Sequence, residues 1–235
     1  MSVRGAAPRP RFFLWMSLAC LAVAITGFST TFFIPLAHGR FHAPAVIHVH
    51  ALLLFGWLLL FIAQASLIQR RRFLTHRRLG LLGALMCPAI AVSGIAVGLY
   101  ATRRDLATGG GDFVLGQMVN VVIEMLLFAA LVTAALLMRR DGESHKRLLL
   151  LATLSALGPA WLRFRHLLPA VPHPFVVFSL VADSVLLVAI ARDLRAMGRV
   201  HPVYLWGGGA MVAVHMTELA AATSPLWVRL GGWMA

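Results

Sequence analysis

Long apolar runs separated by short polar segments make up nearly the whole chain. A transmembrane helix needs about 20 consecutive apolar residues, and seven runs of suitable character follow one another here. The pattern therefore predicts an all-α protein, a seven-transmembrane-helix bundle in which residues 1–235 form a single transmembrane domain. The predicted helices span about residues 12–36, 44–68, 79–101, 113–138, 148–162, 175–190 and 203–222.

The composition excludes an ordinary soluble domain. Hydrophobic residues make up 60% of the chain and charged residues only 12%. A soluble domain has about 25% charged residues. With seven spans and their loops, a length of 235 residues leaves no room for a separate soluble domain.

The basic residues lie in clusters that predict an orientation. Fifteen of the 21 Lys and Arg residues precede the first predicted helix or follow the second, fourth and sixth, as in Arg70-Arg71-Arg72. Because cytoplasmic loops carry the excess of Lys and Arg, the N-terminus is predicted to be cytoplasmic and the C-terminus outside. Such clusters attract anionic lipid headgroups, so the net charge of +13 predicts the lipid bilayer as partner and no nucleic acid.

Six ionisable residues fall inside predicted helices, where they are costly and usually face the bundle interior or a cavity. By their distance from the predicted helix ends, His50, Asp183 and His215 lie with Asn120 in one polar layer in the outer half of the bundle, about 9–12 Å deep at ~1.5 Å per residue. Glu124 is predicted one turn deeper and Glu218 one turn shallower. The fourth helix carries a polar stripe of Gln117, Asn120 and Glu124 at helical spacing. The six residues are His48, His50, Glu124, Asp183, His215 and Glu218.

The two histidines of the second helix cannot both face that layer. They are two residues apart, which places them about 200° apart around a regular helix. We favour His50 for the interior and His48 for a position nearer the surface.

Several functions are compatible with the polar layer. The groups can satisfy one another in a structural hydrogen-bond network. They can bind a transition metal (zinc, iron or copper), with all six residues as candidate ligands. His50 and His215, on different helices at similar depth, can ligate haem b axially. In a proton-coupled transporter, Glu124, Asp183 and Glu218 would relay protons.

Several motifs carry a resemblance to a known kind of protein. The segment from His48-Val49-His50 through Gln64, followed by His76-Arg77-Arg78-Leu79-Gly80 and His145-Lys146-Arg147-Leu148, resembles a family of uncharacterised bacterial multi-pass inner-membrane proteins with seven helices. The resemblance implies a multi-pass protein of the bacterial plasma (inner) membrane. It implies nothing about chemistry.

From the sequence we expect a metal- or haem-binding redox protein, with His50 and His215 as cofactor ligands. The alternatives are a proton-coupled transporter and a non-catalytic accessory subunit of a membrane complex. The pattern names no catalytic residue and leaves open whether the protein is an enzyme. It also leaves open whether the partners are other membrane subunits or further copies of the chain.

Overall fold

The computed structural model describes residues 11–168 and 170–235, and this part of the chain folds into eight helices. A short helical extension, residues 158–166, lies between the fifth and sixth of these helices and consists of Gly158–Leu162 and the 3-10 turn Arg163–His166. The helices are α1 (Phe12–Ala37), α2 (Ala45–Gln69), α3 (Phe73–Ala107), α4 (Asp112–Leu137), α5 (Gly142–Ser155), α6 (Pro174–Met197), α7 (202–221) and α8 (Pro225–Met234).

Five of these helices are long and apolar enough to cross a membrane, namely α1, α2, α3, α4 and α6. Only 22–33% of the residues in their most apolar stretches are buried within the protein. Large apolar side chains on the remaining faces are open to the surroundings, with Leu52 and Leu85 exposed by 74% and 72%. These features identify a multi-pass helical membrane protein.

The two remaining predicted spans are built differently from a regular long helix. α5 has 14 residues and covers about 21 Å, less than the ~30 Å hydrocarbon core. After its first two residues, α7 has a π-helical segment, Tyr204–Gly208, and then continues as Gly209–Ala221. By length and composition, neither belongs to the five candidate spans among the described residues.

α5 is the centre of the bundle. Nine of its 14 residues are buried, and it packs against α1, α4, α6 and α7. A helix that is apolar on all sides is normally buried on all sides, and the Leu148–Leu151 segment has that character. The Trp57 indole of α2 donates a hydrogen bond to the Thr153 hydroxyl at 3.2 Å. α5 therefore provides the packing surface on which the longer helices assemble.

Several helices extend beyond the predicted boundaries because charged residues end an apolar run without ending a helix. α3 was expected over 79–101 and is observed over Phe73–Ala107, a length of 35 residues. α6 was expected over 175–190 and continues to Met197 through Arg192 and Arg195. Arginine is a good helix former, so its presence marks the edge of the apolar region and not the helix end.

The start of α5 also differs from the predicted 148–162. The helix begins at Gly142 because the Asp141 carboxylate caps it, accepting hydrogen bonds from the backbone N–H groups of Glu143 and Ser144 at 3.0 and 3.3 Å. The apolar pattern misses this first polar turn.

The C-terminal segment 223–235 lies beyond the last predicted helix and contains α8. The Ser224 side chain caps this helix by accepting from the Trp227 backbone N–H at 3.4 Å. α8 packs closely on α4, since a Cβ at Gly231 would overlap the Leu115 carbonyl. The close approach fixes α8 next to the polar stripe of α4.

Candidate functional site

Three helices place an ionisable side chain in the bundle interior at one point. Glu124 comes from α4, Asp183 from α6 and His215 from α7. Glu124 lies on the same face of α4 as the buried Asn120, and Asp183 follows the buried Ala182 of α6. These side chains therefore lie on the helix faces that pack against neighbouring helices.

His215 bridges the two carboxylates. Its Nδ1 lies 2.6 Å from Asp183 Oδ1, and its Nε2 lies 3.0 Å from Glu124 Oε1. The side chains of His215, Asp183 and Glu124 are 11%, 9% and 21% exposed. We call these three residues the His215 triad.

The geometry of the His215 triad constrains its protons. An ionised carboxylate only accepts hydrogen bonds, whereas a neutral imidazole has one donor and one acceptor nitrogen. Both short contacts can be hydrogen bonds only if His215 carries two protons or if one carboxyl group is protonated. Two protons are therefore shared among the three side chains.

Glu218 adds a third acid. It lies about one turn beyond His215 on α7 and interacts electrostatically with both Glu124 and His215. One oxygen of each acid is buried without a hydrogen-bond partner: Glu124 Oε2, Asp183 Oδ2 and Glu218 Oε1. No lysine or arginine in the described ranges 11–168 and 170–235 forms an ion pair with these acids. The site therefore has more acid than its one histidine can neutralise.

A cleft leads to Glu218 from outside the bundle. It has a volume of about 240 Å³ and is lined mainly by apolar side chains of α4, α7 and α8. Since a water molecule occupies about 30 Å³ of liquid, the cleft has room for several waters or a small ligand. Its lining residues are Ile123, Ala213, Val214, Thr217, Glu218 and Trp227.

α8 contributes to the wall of the site through Trp227. The Trp227 indole N–H donates to Asn120 Oδ1 at 2.9 Å, and the Asn120 amide donates to Gln117 Oε1 at 3.3 Å. The apolar pattern did not indicate Trp227, which lies beyond the last predicted helix. A serine followed by proline, Ser224-Pro225, is a helix-start signal that would have indicated α8.

The structure places the two histidines of α2 away from the His215 triad. His50 Nδ1 lies 2.9 Å from Ser93 Oγ of α3. The Ser93 hydroxyl also lies 3.1 Å from the Ile90 carbonyl oxygen. When it donates to that carbonyl, His50 Nδ1 is the donor to Ser93 and a neutral His50 keeps a lone pair on Nε2. His48 packs against the rings of Phe32 and Phe41, with centroids 6.1 and 5.6 Å apart.

The six predicted ligands thus form separate groups. Within the described residues, no three His, Cys, Asp or Glu side chains have the arrangement of a metal site. Both ring nitrogens of His215 face carboxylates, so binding iron or another metal through nitrogen requires it to exchange one of these contacts. The roles of His50 and His215 as ligands stay predictions.

A second polar cluster lies near the start of α5 and the end of α6. Arg147 and Asp193 are both fully buried, and the guanidinium pairs bidentately with the carboxylate at 2.8 and 2.7 Å. Glu143 and Arg192 complete the cluster with contacts of 2.6 and 2.8 Å. The charge pattern places Arg147 in a loop and so does not predict this cluster. The four-residue spacing of Glu143 and Arg147, which suits an ion pair on a helix, would have indicated it.

Comparison with known proteins gives no relative: no family model, curated protein or solved structure matches the chain significantly. The resemblance to bacterial seven-helix proteins therefore identifies no family. What the fold supports directly is a multi-pass helical membrane protein with five candidate spans.

Proposed function

We propose that the protein is a proton-coupled transporter in which the His215 triad and Glu218 bind and release protons. The observation that carries the proposal is a histidine held between two carboxylates in the bundle interior. A third carboxylate lies beside it, and three acid oxygens are buried without a partner.

The charge balance favours exchange of protons over a purely structural network. Three ionised acids and one imidazolium would leave two net negative charges inside a membrane protein, which is costly. Bound protons remove that charge. A structural network, in contrast, has its hydrogen-bonding capacity filled, because each unpaired buried polar group destabilises the fold. A proton bound by Glu218 can be shared with Glu124, because the two side chains are within hydrogen-bonding reach of each other.

The cleft supplies a route. Glu218 lines it and also interacts with Glu124 and His215. A proton or a protonated solute entering the cleft meets Glu218 first. From there a proton passes to Glu124, then across the His215 ring to Asp183, since the ring bonds one carboxylate through each nitrogen.

We further propose seven spans in a bacterial plasma membrane, with the N-terminus cytoplasmic. In this arrangement α5 crosses the membrane together with its extension 158–166, and α7 is the seventh span. The positions of 15 of the 21 basic residues support the orientation.

The proton-binding step is tested by infrared spectroscopy of the protein reconstituted in lipid vesicles, titrated with pH. A protonated buried carboxyl group has a separate C=O absorption. We expect such a band to titrate in the wild type and to be lost in Glu218→Gln. The matched control is Glu143→Gln, which removes an acid that is 55% exposed and lies in the other cluster. A titration unchanged by Glu218→Gln contradicts the proposal.

The transport step is tested in vesicles that enclose a pH-sensitive dye, with a membrane potential imposed by a potassium gradient and valinomycin. Wild-type vesicles should move protons faster than empty vesicles, and Glu218→Gln vesicles should not. Equal rates for the wild type, Glu218→Gln and empty vesicles exclude proton transport under these conditions.

A second candidate, a metal- or haem-binding redox protein, is favoured by the same unpaired oxygens. Carboxylate oxygens next to an imidazole suit a divalent cation, which would also neutralise the excess acid. Elemental mass spectrometry of the purified wild type and His215→Ala tests it. Near-stoichiometric zinc, iron or copper that falls in the variant supports a metal site. An absorption spectrum then tests haem, for which His50 Nε2 is a candidate ligand.

A further inference from the structure

A groove between the start of α1 and the final turns of α6 has apolar walls and a basic rim. It has a volume of about 450 Å³ and is lined by Phe12, Val188, Arg192, Arg195 and Ala196. The four α6 residues recur at intervals of four, three and one, so they share one helix face. The groove shares no lining residue with the cleft at Glu218, and its residues are not part of the proposed proton path.

Positive charge exceeds negative charge around this groove. Asp193 accepts from both Arg147 and Arg192, and Glu143 forms ion pairs with both Arg147 and Lys146. Two carboxylates thus serve three cations within this cluster. Arg195 adds a fourth positive charge at an exposed position on the groove.

The arrangement along α6 separates polar from apolar contacts. Arg195 lies near the end of the helix, and Val188 lies seven residues before it, about 10 Å closer to the membrane centre. Val188 is 53% exposed. The Arg192 guanidinium lies over the Phe12 ring, 5.6 Å from its centroid, which holds the arginine at the groove wall. The separation of Val188 and Arg195 along α6 matches the separation between the headgroup of a lipid and the first carbons of its acyl chains.

We propose that this groove is a binding site for an anionic phospholipid. Arg195 and Arg192 bind the phosphate, and one acyl chain lies on Phe12 and Val188. Basic pockets between transmembrane helices at the cytoplasmic side are suited to anionic headgroups. The N-terminal segment 1–10 contains two arginines and no acid, so its charge does not complement this basic groove.

The test is native mass spectrometry of the full-length protein in detergent, titrated with phosphatidylglycerol or with phosphatidylcholine of the same chains. We expect one phosphatidylglycerol to be retained in preference to phosphatidylcholine. Arg195→Gln should weaken its binding about fivefold, the effect of one basic residue near a membrane surface. The matched control, Arg140→Gln, removes an exposed arginine from the loop between α4 and α5 and should leave the affinity unchanged.

A second variant tests the acyl contact without changing charge. Val188→Trp fills the apolar part of the groove, and we expect it also to weaken phosphatidylglycerol binding. Inorganic phosphate at equal concentration should not displace the lipid, because it lacks the acyl chains. The proposal is overturned if both lipids bind equally, if Arg140→Gln weakens binding as much as Arg195→Gln, or if phosphate displaces the lipid.

Discussion

The buried pair of Arg147 and Asp193 permits a quantitative test of the fold. Asp193→Asn keeps the shape of the side chain and removes its charge. In the wild type the carboxylate accepts three hydrogen bonds, two from Arg147 at 2.8 and 2.7 Å and one from Arg192 at 2.8 Å. The variant leaves the fully buried Arg147 guanidinium without its main counter-charge.

The expected loss follows from burial and from the contacts that remain. Breaking a buried ion pair by removing one partner costs about 3–5 kcal/mol. Arg147 still has Glu143 at 2.6 Å, and the asparagine carbonyl can still accept one of the two hydrogen bonds from Arg147. We therefore expect the lower end, about 3 kcal/mol, which corresponds to roughly 150-fold in the folding equilibrium constant.

The assay is unfolding of the detergent-solubilised protein by a denaturing detergent, followed by tryptophan fluorescence. Asp105→Asn is the matched control, because it makes the same substitution in an exposed ion pair. The side chains of Arg104 and Asp105 in this pair are 57% and 43% exposed. An exposed pair contributes about 0–1 kcal/mol. The double variant Arg147→Met/Asp193→Leu should recover much of the loss, since an apolar replacement leaves no unpaired charge.

A loss for Asp193→Asn that equals the loss for Asp105→Asn would refute this reasoning. It would mean that the Arg147 guanidinium is hydrated or fully compensated by Glu143. A double variant that is less stable than the single variant would also contradict it, because the cost would then lie in the packing of the side chains and not in the charge.

Two further predictions concern the α5 cap and the contact between α4 and Ala222, the residue that directly follows α7. Hydrogen bonds from the Ser144 hydroxyl and backbone N–H lower the pKa of Asp141. The cap should therefore stabilise the protein fully above the usual aspartate pKa and lose its effect as pH falls through the lowered value. Asp141→Asn should remove this part of the pH dependence, measured by unfolding at a series of pH values. Gly116→Ala would place a Cβ against the Ala222 carbonyl, so we expect a loss of about 1–3 kcal/mol. Gly111→Ala, with open space around the added Cβ, should have little effect in the same unfolding assay.

The apolar pattern was sufficient for the five long helices and insufficient for their ends. A run of apolar residues reports the region that lipid can surround, because transfer of each side chain into lipid depends on that side chain alone. Helix ends depend on capping and on helix propensity. Asp141 and Ser224 are such caps, and both extend helical structure into segments that hydropathy treats as polar loop or tail.

For the site as well, the sequence predicts which residues share a helix face but not which residues of other helices they contact. The helical period places Gln117, Asn120 and Glu124 on one face of α4, which needs no knowledge of any other helix. Which groups meet that face is a different matter. Trp227 reaches Asn120 across 107 residues of sequence only because α8 folds back onto α4.

The sequence by itself determined that the chain is helical, that it lies in a membrane and that three of its eight acids, Glu124, Asp183 and Glu218, belong in the interior. These follow from the helix period and from the cost of charge in lipid, and both act on each segment separately. Only the tertiary structure decided that His215 joins Asp183 to Glu124, that His50 pairs with Ser93 instead, and that Arg147 meets Asp193. Those pairings depend on how each helix is rotated and how closely it packs, which is set by side-chain volumes contributed by several helices at once.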